Sequence, residues 1–289
     1  MSSEEPRVIP HEVRRLIENA LEEDGVQGDI TTDALVFDGE WGRAEAVVRA
    51  EGLLAGAWVF AAVFTAVDPR LRVEVLRPEG SRVAPGERVA AVSGPMAGIL
   101  KAERVALNFL QRLSGIATET ARYVAAVAGL PVRIVDTRKT GPGMRWLDKY
   151  AVRVGGGFNH RMSLSDGILV KDNHLVAIRA RGESIKTAVA RLRQRASHLV
   201  KIQMEVETPE EATEAVEAGV DALLLDGMSL AQMEGVVRGY TGRVLIEASG
   251  GITLETVRRV AETGVDLISV GALTHSPRAL DISLEVQPA

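Results

Sequence analysis

With 289 residues, 46 % of them hydrophobic and 25 % charged, the chain has room for a small domain beside a larger one and the composition of an ordinary globular protein. A net charge of −5 argues against general nucleic-acid binding, which needs a basic excess along a phosphate-tracking surface. The absence of cysteine excludes disulfides, thiolate metal sites and a cysteine nucleophile, and leaves histidine, carboxylate and lysine chemistry open.

The first seven residues contain Glu4, Glu5 and Pro6 and lack the basic-then-apolar pattern of a targeting signal. No later segment reaches the roughly 18 apolar residues of a membrane span, so a cytoplasmic location without a membrane partner is expected. Val13, Leu16, Ile17, Ala20 and Leu21 recur at one-face helical spacing and predict an amphipathic helix ending near Gly25. Residues 44–100 hold short runs punctuated by Gly and Pro, which read as a small sheet with turns. A long helical stretch follows over 102–128, and Ser114 with Gly115 predicts a break into two helices.

Beyond the long stretch, six apolar runs alternate with helical segments: VRIVDTRK, DGILVKDN, KIQMEVET, ALLLDG, VLIEASGG and LISVGA. Thr208, Pro209 and Glu211 mark a capped helix start, Gly219 its end, and Ser229 and Thr253 two further starts. Alternating strands and helices imply a parallel sheet, open or closed. Nearly every run ends in a polar group: Arg138 and Lys139, Lys171, Glu205 and Glu207, Asp226, Glu247 with Ser249, and Gly271. A barrel gathers strand C-termini at one mouth, so the expected fold is α/β, an incomplete barrel of six or seven strands after a small N-terminal domain.

Three features of this region carry chemistry. From Arg133 to Lys171 eight basic side chains face only Asp136, Asp148 and Asp166, reversing the sign of the whole chain, and an anionic small molecule suits such a segment. The chain has 28 Arg and 6 Lys, yet Lys139, Lys149 and Lys171 all fall here, which points to positions needing a compact ammonium for phosphate or proton chemistry. EASGGIT at 247–253 and SVGALTHS at 269–276 each place glycine between a strand and a helix, the arrangement of barrel phosphate sites.

Glu205 and Asp226 each close a strand and can face one cavity although 21 positions separate them. Two carboxylates beside a phosphate site suit magnesium, which prefers oxygen ligands and keeps substrate phosphates. The alternative is that either serves as a helix cap or as an ion-pair partner of the basic segment. His160, beside Arg161 and after three glycines, is expected to orient by hydrogen bonding, because surrounding cations disfavour its charged form.

These residues also carry a resemblance over most of the chain. GDITT at 28–32, ERVALNFLQRLSGIAT at 103–118, DTRKTGPGMR at 136–145, KYAVRVGGGFNHRMSLSDGILVKDNH at 149–174, EVET at 205–208, EASGGI at 247–252 and SVGALTHS at 269–276 resemble the quinolinate phosphoribosyltransferases. The resemblance implies a small N-terminal α/β sandwich over 1–112, joined by the tail 275–289, and an open α/β barrel over 113–274. It implies transfer of phosphoribosyl from phosphoribosyl pyrophosphate to quinolinate, with loss of carbon dioxide and pyrophosphate, on the route to NAD.

It implies a homodimer, with a hexamer as the alternative assembly, in which Arg104 reaches the partner's substrate. Arg138, His160, Arg161 and Lys171 would surround quinolinate, and Thr137 would be a further substrate-binding residue. Lys139, Glu205 and Asp226 would hold phosphoribosyl pyrophosphate and its Mg2+, and these three with Lys171 form the expected catalytic set. The 5′-phosphate would lie on Ser249, Gly250, Gly251, Ser269, Val270 and Gly271. Gly141 and Gly227 depart from the family, which more often has threonine and asparagine there. The rival readings are a paralogous phosphoribosyltransferase associated with molybdate transport, a barrel isomerase acting on a phosphosugar, and a noncatalytic phosphosugar-binding protein.

Overall fold

The computed structural model describes residues 8–288, so the N-terminal stretch inspected for a targeting signal lies outside the described residues. The chain forms two compact units. The first holds the described residues up to Ala121, then Lys139–Gly156, then those from Ala272 on; the second holds Arg122–Arg138 and Gly157–Gly271. The junction expected at 112/113 thus lies nine residues before this division, which falls inside one long helix.

In the first unit the order is α1 (His11–Glu23), α2 (Ile30–Leu35), β1 (Trp41–Val48), β2 (Gly52–Leu53), α3 (Ala57–Val67), β3 (Arg72–Val75), β4 (Arg82–Val83), β5 (Arg88–Pro95) and α4 (Met96–Ala126), which runs on into the second unit. The amphipathic helix predicted at the start is α1, which buries Val13 and Ile17 and turns out through Gly25 at φ +65°. Helix α3 is apolar on nearly all sides and buries Trp58, Val59, Phe60, Val63 and Phe64. Its free N-terminal amides, those of Gly56 and Ala57, donate to the Glu79 carboxylate at 2.8 and 2.7 Å, an anion where the helix dipole favours one.

The expected break in the long helix does not occur: α4 is continuous over 31 residues. Ser114 and Gly115 serve packing instead. Ser114 Oγ accepts from the Ala55 amide at 3.0 Å and Thr118 Oγ1 accepts from the Leu53 amide at 2.8 Å, docking the end of β2 and the residues after it on the helix. At Gly115 a Cβ would stand 2.2 Å from the Arg278 carbonyl oxygen, so the glycine admits another backbone.

After β6 (Arg133–Val135) in the second unit, the chain returns to the first for α5 (Arg145–Val154). It then builds β7 (Ile168–Val170), α6 (Asp172–Ala180), α7 (Ile185–Arg195), β8 (Ile202–Val206), α8 (Pro209–Glu217), β9 (Ala222–Asp226), α9 (Leu230–Tyr240), β10 (Leu245–Ser249), α10 (Val257–Glu262) and β11 (Leu267–Ser269). Helix α11 (Ala272–His275) and β12 (Ile282–Pro288) end the chain in the first unit. There β12 pairs antiparallel with β1, from Gly42↔Pro288 to Val48↔Ile282, in a sheet ordered β12-β1-β5-β3.

The six predicted runs are the six strands of one parallel sheet, ordered β6-β11-β10-β9-β8-β7. Adjacent strands in sequence are neighbours in space except β6 and β7, which form the sheet's two edges, so this is a six-stranded α/β barrel open at one seam. Helices cover the outside, and Ile134, Ile202, Leu223, Leu225, Ile246 and Ile268 are buried to 2 % exposure or less. Each such side chain contributes about 1.5–3 kcal/mol of burial.

Helix starts follow their chemistry: Thr208 accepts from the Glu211 amide ahead of Pro209, and Ser229 with Gln232 makes a reciprocal capping box. Thr253 was expected to open a helix; its carbonyl accepts from the Thr256 and Val257 amides at 3.1 and 2.9 Å and its own amide donates to Thr256 Oγ1 at 3.0 Å, a turn that leads directly into α10. Among the described residues no helix is long and apolar enough to cross a membrane.

Candidate active site

Parallel pairing puts all six strand C-termini of the second unit at one edge, and each brings a polar group there. Asp136, Thr137 and Arg138 follow β6; Lys171 follows β7; Glu205 is the penultimate residue of β8; Asp226, Ser249 and Ser269 close β9, β10 and β11. Val270 and Gly271 follow Ser269, the amide of Val270 donating to Val135 at 2.9 Å. Strand register makes Asp226 and Ser249 direct neighbours and sets Glu205 level with Leu224 and Glu247.

The turn after β10 is built for glycine. Gly250 has φ +90°, Gly251 φ +62°, and a Cβ at Gly250 would stand 2.6 Å from Asp226 Oδ1. Gly227, where the family more often has asparagine, sits at φ +67° with open space around it, a conformation asparagine tolerates. Gly141 is tighter: its Cβ would meet Arg112 Nη2 and Met144 at 3.3 Å, and its amide donates to Asp148 at 3.1 Å.

Charges of both signs meet at this edge. Lys171 Nζ donates to Glu205 Oε2 at 2.9 Å, the lysine half exposed and the glutamate buried. Burial, and next the positive charge of Arg138, pull the Arg161 guanidinium below its ordinary value, while Asp166 opposes them. The charge of Arg138 is thus felt by a partly buried Arg161, a setting that favours an anion. Arg161 also donates to the Gly167 carbonyl at 2.9 Å.

His160 was expected among cations; the structure sets a carboxylate against it as well. Its Nε2 lies 3.1 Å from Gln203 Oε1 and 3.4 Å from Glu247 Oε2, and its Nδ1 accepts from the Arg161 amide at 2.8 Å. Burial alone would raise the Glu247 pKa, yet the hydrogen bond from His160, its charge when protonated and the Gln203 bond hold the carboxyl below its ordinary range. Asp136, fully buried, accepts from the His160 amide at 2.9 Å and from Asn159 Nδ2 at 2.6 Å.

Two expected site residues belong to the first unit. Arg104 stands on α4 with its side chain 61 % exposed and Glu103 at 3.9 Å. Lys139 is held through its carbonyl, which accepts from Thr274 Oγ1 at 2.8 Å. Lys149, expected to serve phosphate or proton chemistry, is fully buried on α5. A cleft of about 1240 Å3 between α1 and α3, lined by Ile17, Leu21, Trp58 and Ala62, contains none of the expected site residues.

Gln203 is a site residue that the sequence did not single out, Asp136 entered only as a counter-charge of the basic segment, and Glu247, expected at a strand end, lies mid-strand and is 1 % exposed. Alternation along β8 was the available signal for Gln203, since it shares a face with Glu205 two residues on. Among the described residues no three ligating side chains gather as a metal site.

Comparison with known proteins covers nearly the whole chain. Residues 29–114 match the family profile "Quinolinate phosphoribosyl transferase, N-terminal domain", and residues 116–285 match the corresponding C-terminal domain. The "Probable nicotinate-nucleotide pyrophosphorylase (carboxylating)" of Bacillus subtilis is 41 % identical over 275 residues, 95 % of this chain and 93 % of that one. The "Quinolinate phosphoribosyltransferase (decarboxylating) 2, mitochondrial" of Nicotiana glauca is 38 % identical, covering 96 % of this chain and 82 % of its own length. The crystal structure of NadC from Streptococcus pyogenes superimposes with a TM-score of 0.92 at 39 % identity, over 99 % of this chain and all of that one.

Proposed function

This chain belongs to the quinolinate phosphoribosyl transferase family, and on that premise we propose that it joins quinolinate to the phosphoribosyl group of phosphoribosyl pyrophosphate, releasing pyrophosphate and carbon dioxide and leaving nicotinate mononucleotide. The observation that carries the assignment is that Arg138 and Lys171 both follow strand C-termini at the barrel mouth, with Lys171 on Glu205 at 2.9 Å, and that a part-buried Arg161 feels the charge of Arg138. Such cations are stabilised by a dianion of quinolinate's kind.

Arg138, Arg161, Lys171 and Thr137 hold the two carboxylates, with His160 beside them. Ser249, Gly250, Gly251, Ser269, Val270 and Gly271 receive the 5′-phosphate in the two turns after β10 and β11. Lys139 meets the pyrophosphate and stabilises its departure. Glu205 and Asp226 fit Mg2+ carried in by the substrate, because two carboxylate oxygens on adjacent strand ends match an ion that takes its remaining ligands from phosphate and water. That ion would supply charge neutralisation for the leaving pyrophosphate.

The ring nitrogen attacks the ribosyl C1 as the bond from C1 to the pyrophosphate oxygen breaks, and intact pyrophosphate leaves. The quaternised ring then accepts the electron pair of the C2–carboxylate bond, carbon dioxide departs, and a proton adds at C2. We further assign a cytoplasmic homodimer in which the exposed Arg104 completes the partner's quinolinate site.

The test is to incubate the chain with quinolinate, phosphoribosyl pyrophosphate and magnesium and to measure both products. One pyrophosphate and one carbon dioxide per quinolinate consumed is the expected result. Pyrophosphate without carbon dioxide, or neither product, overturns the reading in favour of the transport-associated paralogue or a noncatalytic binder.

A further inference from the structure

Three hydrogen bonds in the barrel interior run in one direction. The Arg161 amide donates to His160 Nδ1 at 2.8 Å, His160 Nε2 faces Gln203 Oε1 at 3.1 Å, and Gln203 Nε2 donates to Glu247 Oε2 at 2.8 Å. A ring nitrogen that accepts an N–H has its lone pair engaged, so the imidazole hydrogen must sit on Nε2, where it faces the Gln203 oxygen at 3.1 Å and, farther off, the Glu247 carboxylate at 3.4 Å. The reverse amide orientation would set Gln203 N–H against ring N–H. The chain ends on Glu247, a carboxylate 1 % exposed, which anchors every donor upstream of it.

Both nitrogens of His160 are thereby engaged within the protein, and the Asp136 carboxylate holds the residue's own amide. What this fixes is the backbone at Arg161, from which the part-buried guanidinium projects. We propose that Gln203 and Glu247 are positioning residues for quinolinate: they hold His160 in its Nε2–H tautomer, and through its Nδ1 they set the backbone from which Arg161 reaches the substrate's carboxylate. The inference rests on the assignment of Arg161 to quinolinate. It also removes His160 as the source of the proton that arrives at C2.

Two measurements test it. The first is the nitrogen NMR spectrum of the imidazoles, of which the chain has only 5, with the His160 signal identified by its loss in His160→Gln. Wild type should show an unprotonated Nδ1 and a protonated Nε2, and Gln203→Ala or Glu247→Ala should abolish that single-tautomer signature. A proton on Nδ1 in wild type overturns the proposal.

The second is steady-state kinetics. Gln203→Ala and Glu247→Ala should raise KM for quinolinate at least about 10-fold, while KM for phosphoribosyl pyrophosphate stays within about 2-fold. Glu247→Gln keeps an acceptor oxygen and should recover part of the loss. Equal rises in both KM values, or none in that for quinolinate, overturn the positioning role. A wild-type chain that releases no pyrophosphate overturns the functional assignment itself, so the two failures are told apart.

Discussion

Gly250 illustrates how one missing methyl group protects the chemistry at the barrel mouth. Its φ of +90° is strained for any L side chain, and its Cβ would press to 2.6 Å on Asp226 Oδ1, a proposed magnesium contact. Gly250→Ala should therefore lower kcat/KM by about 100-fold or more, since an ångström's misplacement of a catalytic group costs that much. Gly227→Asn, at φ +67° in open space, should stay within about 3-fold of wild type because asparagine tolerates the left-handed region. Measuring both variants with the same substrates checks the pair, and an equally damaged Gly227→Asn would show that space around the turn is not what matters.

Glu247 makes a second prediction at this scale. Its folded-state pKa lies below the ordinary 4.5, so the unfolded chain binds the proton more readily. Its contribution to stability is then complete above about pH 4.5 and is lost as the pH falls through the depressed folded value. Glu247→Gln should be less stable at neutral pH and should show a flatter loss of stability from about pH 5 to pH 3, read from urea midpoints.

At the scale of elements, the long helix α4 shows local preference overruled by packing. Glycine at 115 lowers helix propensity by about 1 kcal/mol relative to alanine, which is why a break was expected there. The helix continues because the site where Gly115 faces the Arg278 carbonyl leaves no room for a Cβ, and because Ser114 and Thr118 hold the end of β2 and the residues after it. Gly115→Ala should thus destabilise the protein by about 1–3 kcal/mol despite the better helix former, through the overpacking it forces. Thermal melting decides this, and a raised midpoint would mean that propensity outweighs the contact.

At the scale of the whole molecule, a chain of net charge −5 concentrates its cations where a doubly anionic substrate is proposed to bind, and leaves Arg104 exposed on α4. Its neighbour Glu103, partly buried and 3.9 Å away, holds it weakly, which leaves the guanidinium open to the second subunit of the proposed homodimer. Arg104→Ala and Lys139→Ala should each be inactive alone, yet regain activity when mixed after subunit exchange, because one hybrid site then carries both intact residues. Activity assays on verified heterodimers check this, and no recovery would place Arg104 in its own subunit's site. Much of this protein was legible in its sequence: six strands and their order along the chain, a leading amphipathic helix, and the strand-end residues Arg138, Lys171, Glu205, Asp226 and Ser249. These follow from periodicity and turn chemistry, which act over a few residues and are visible in any short window. The continuity of α4, the burial of Lys149, the Lys171–Glu205 pair and the line from Glu247 through Gln203 to His160 were decided by tertiary structure. The last joins side chains 43 and 44 positions apart, on a loop and on two strands separated by β9, and only the folded barrel brings such distant groups within hydrogen-bonding distance.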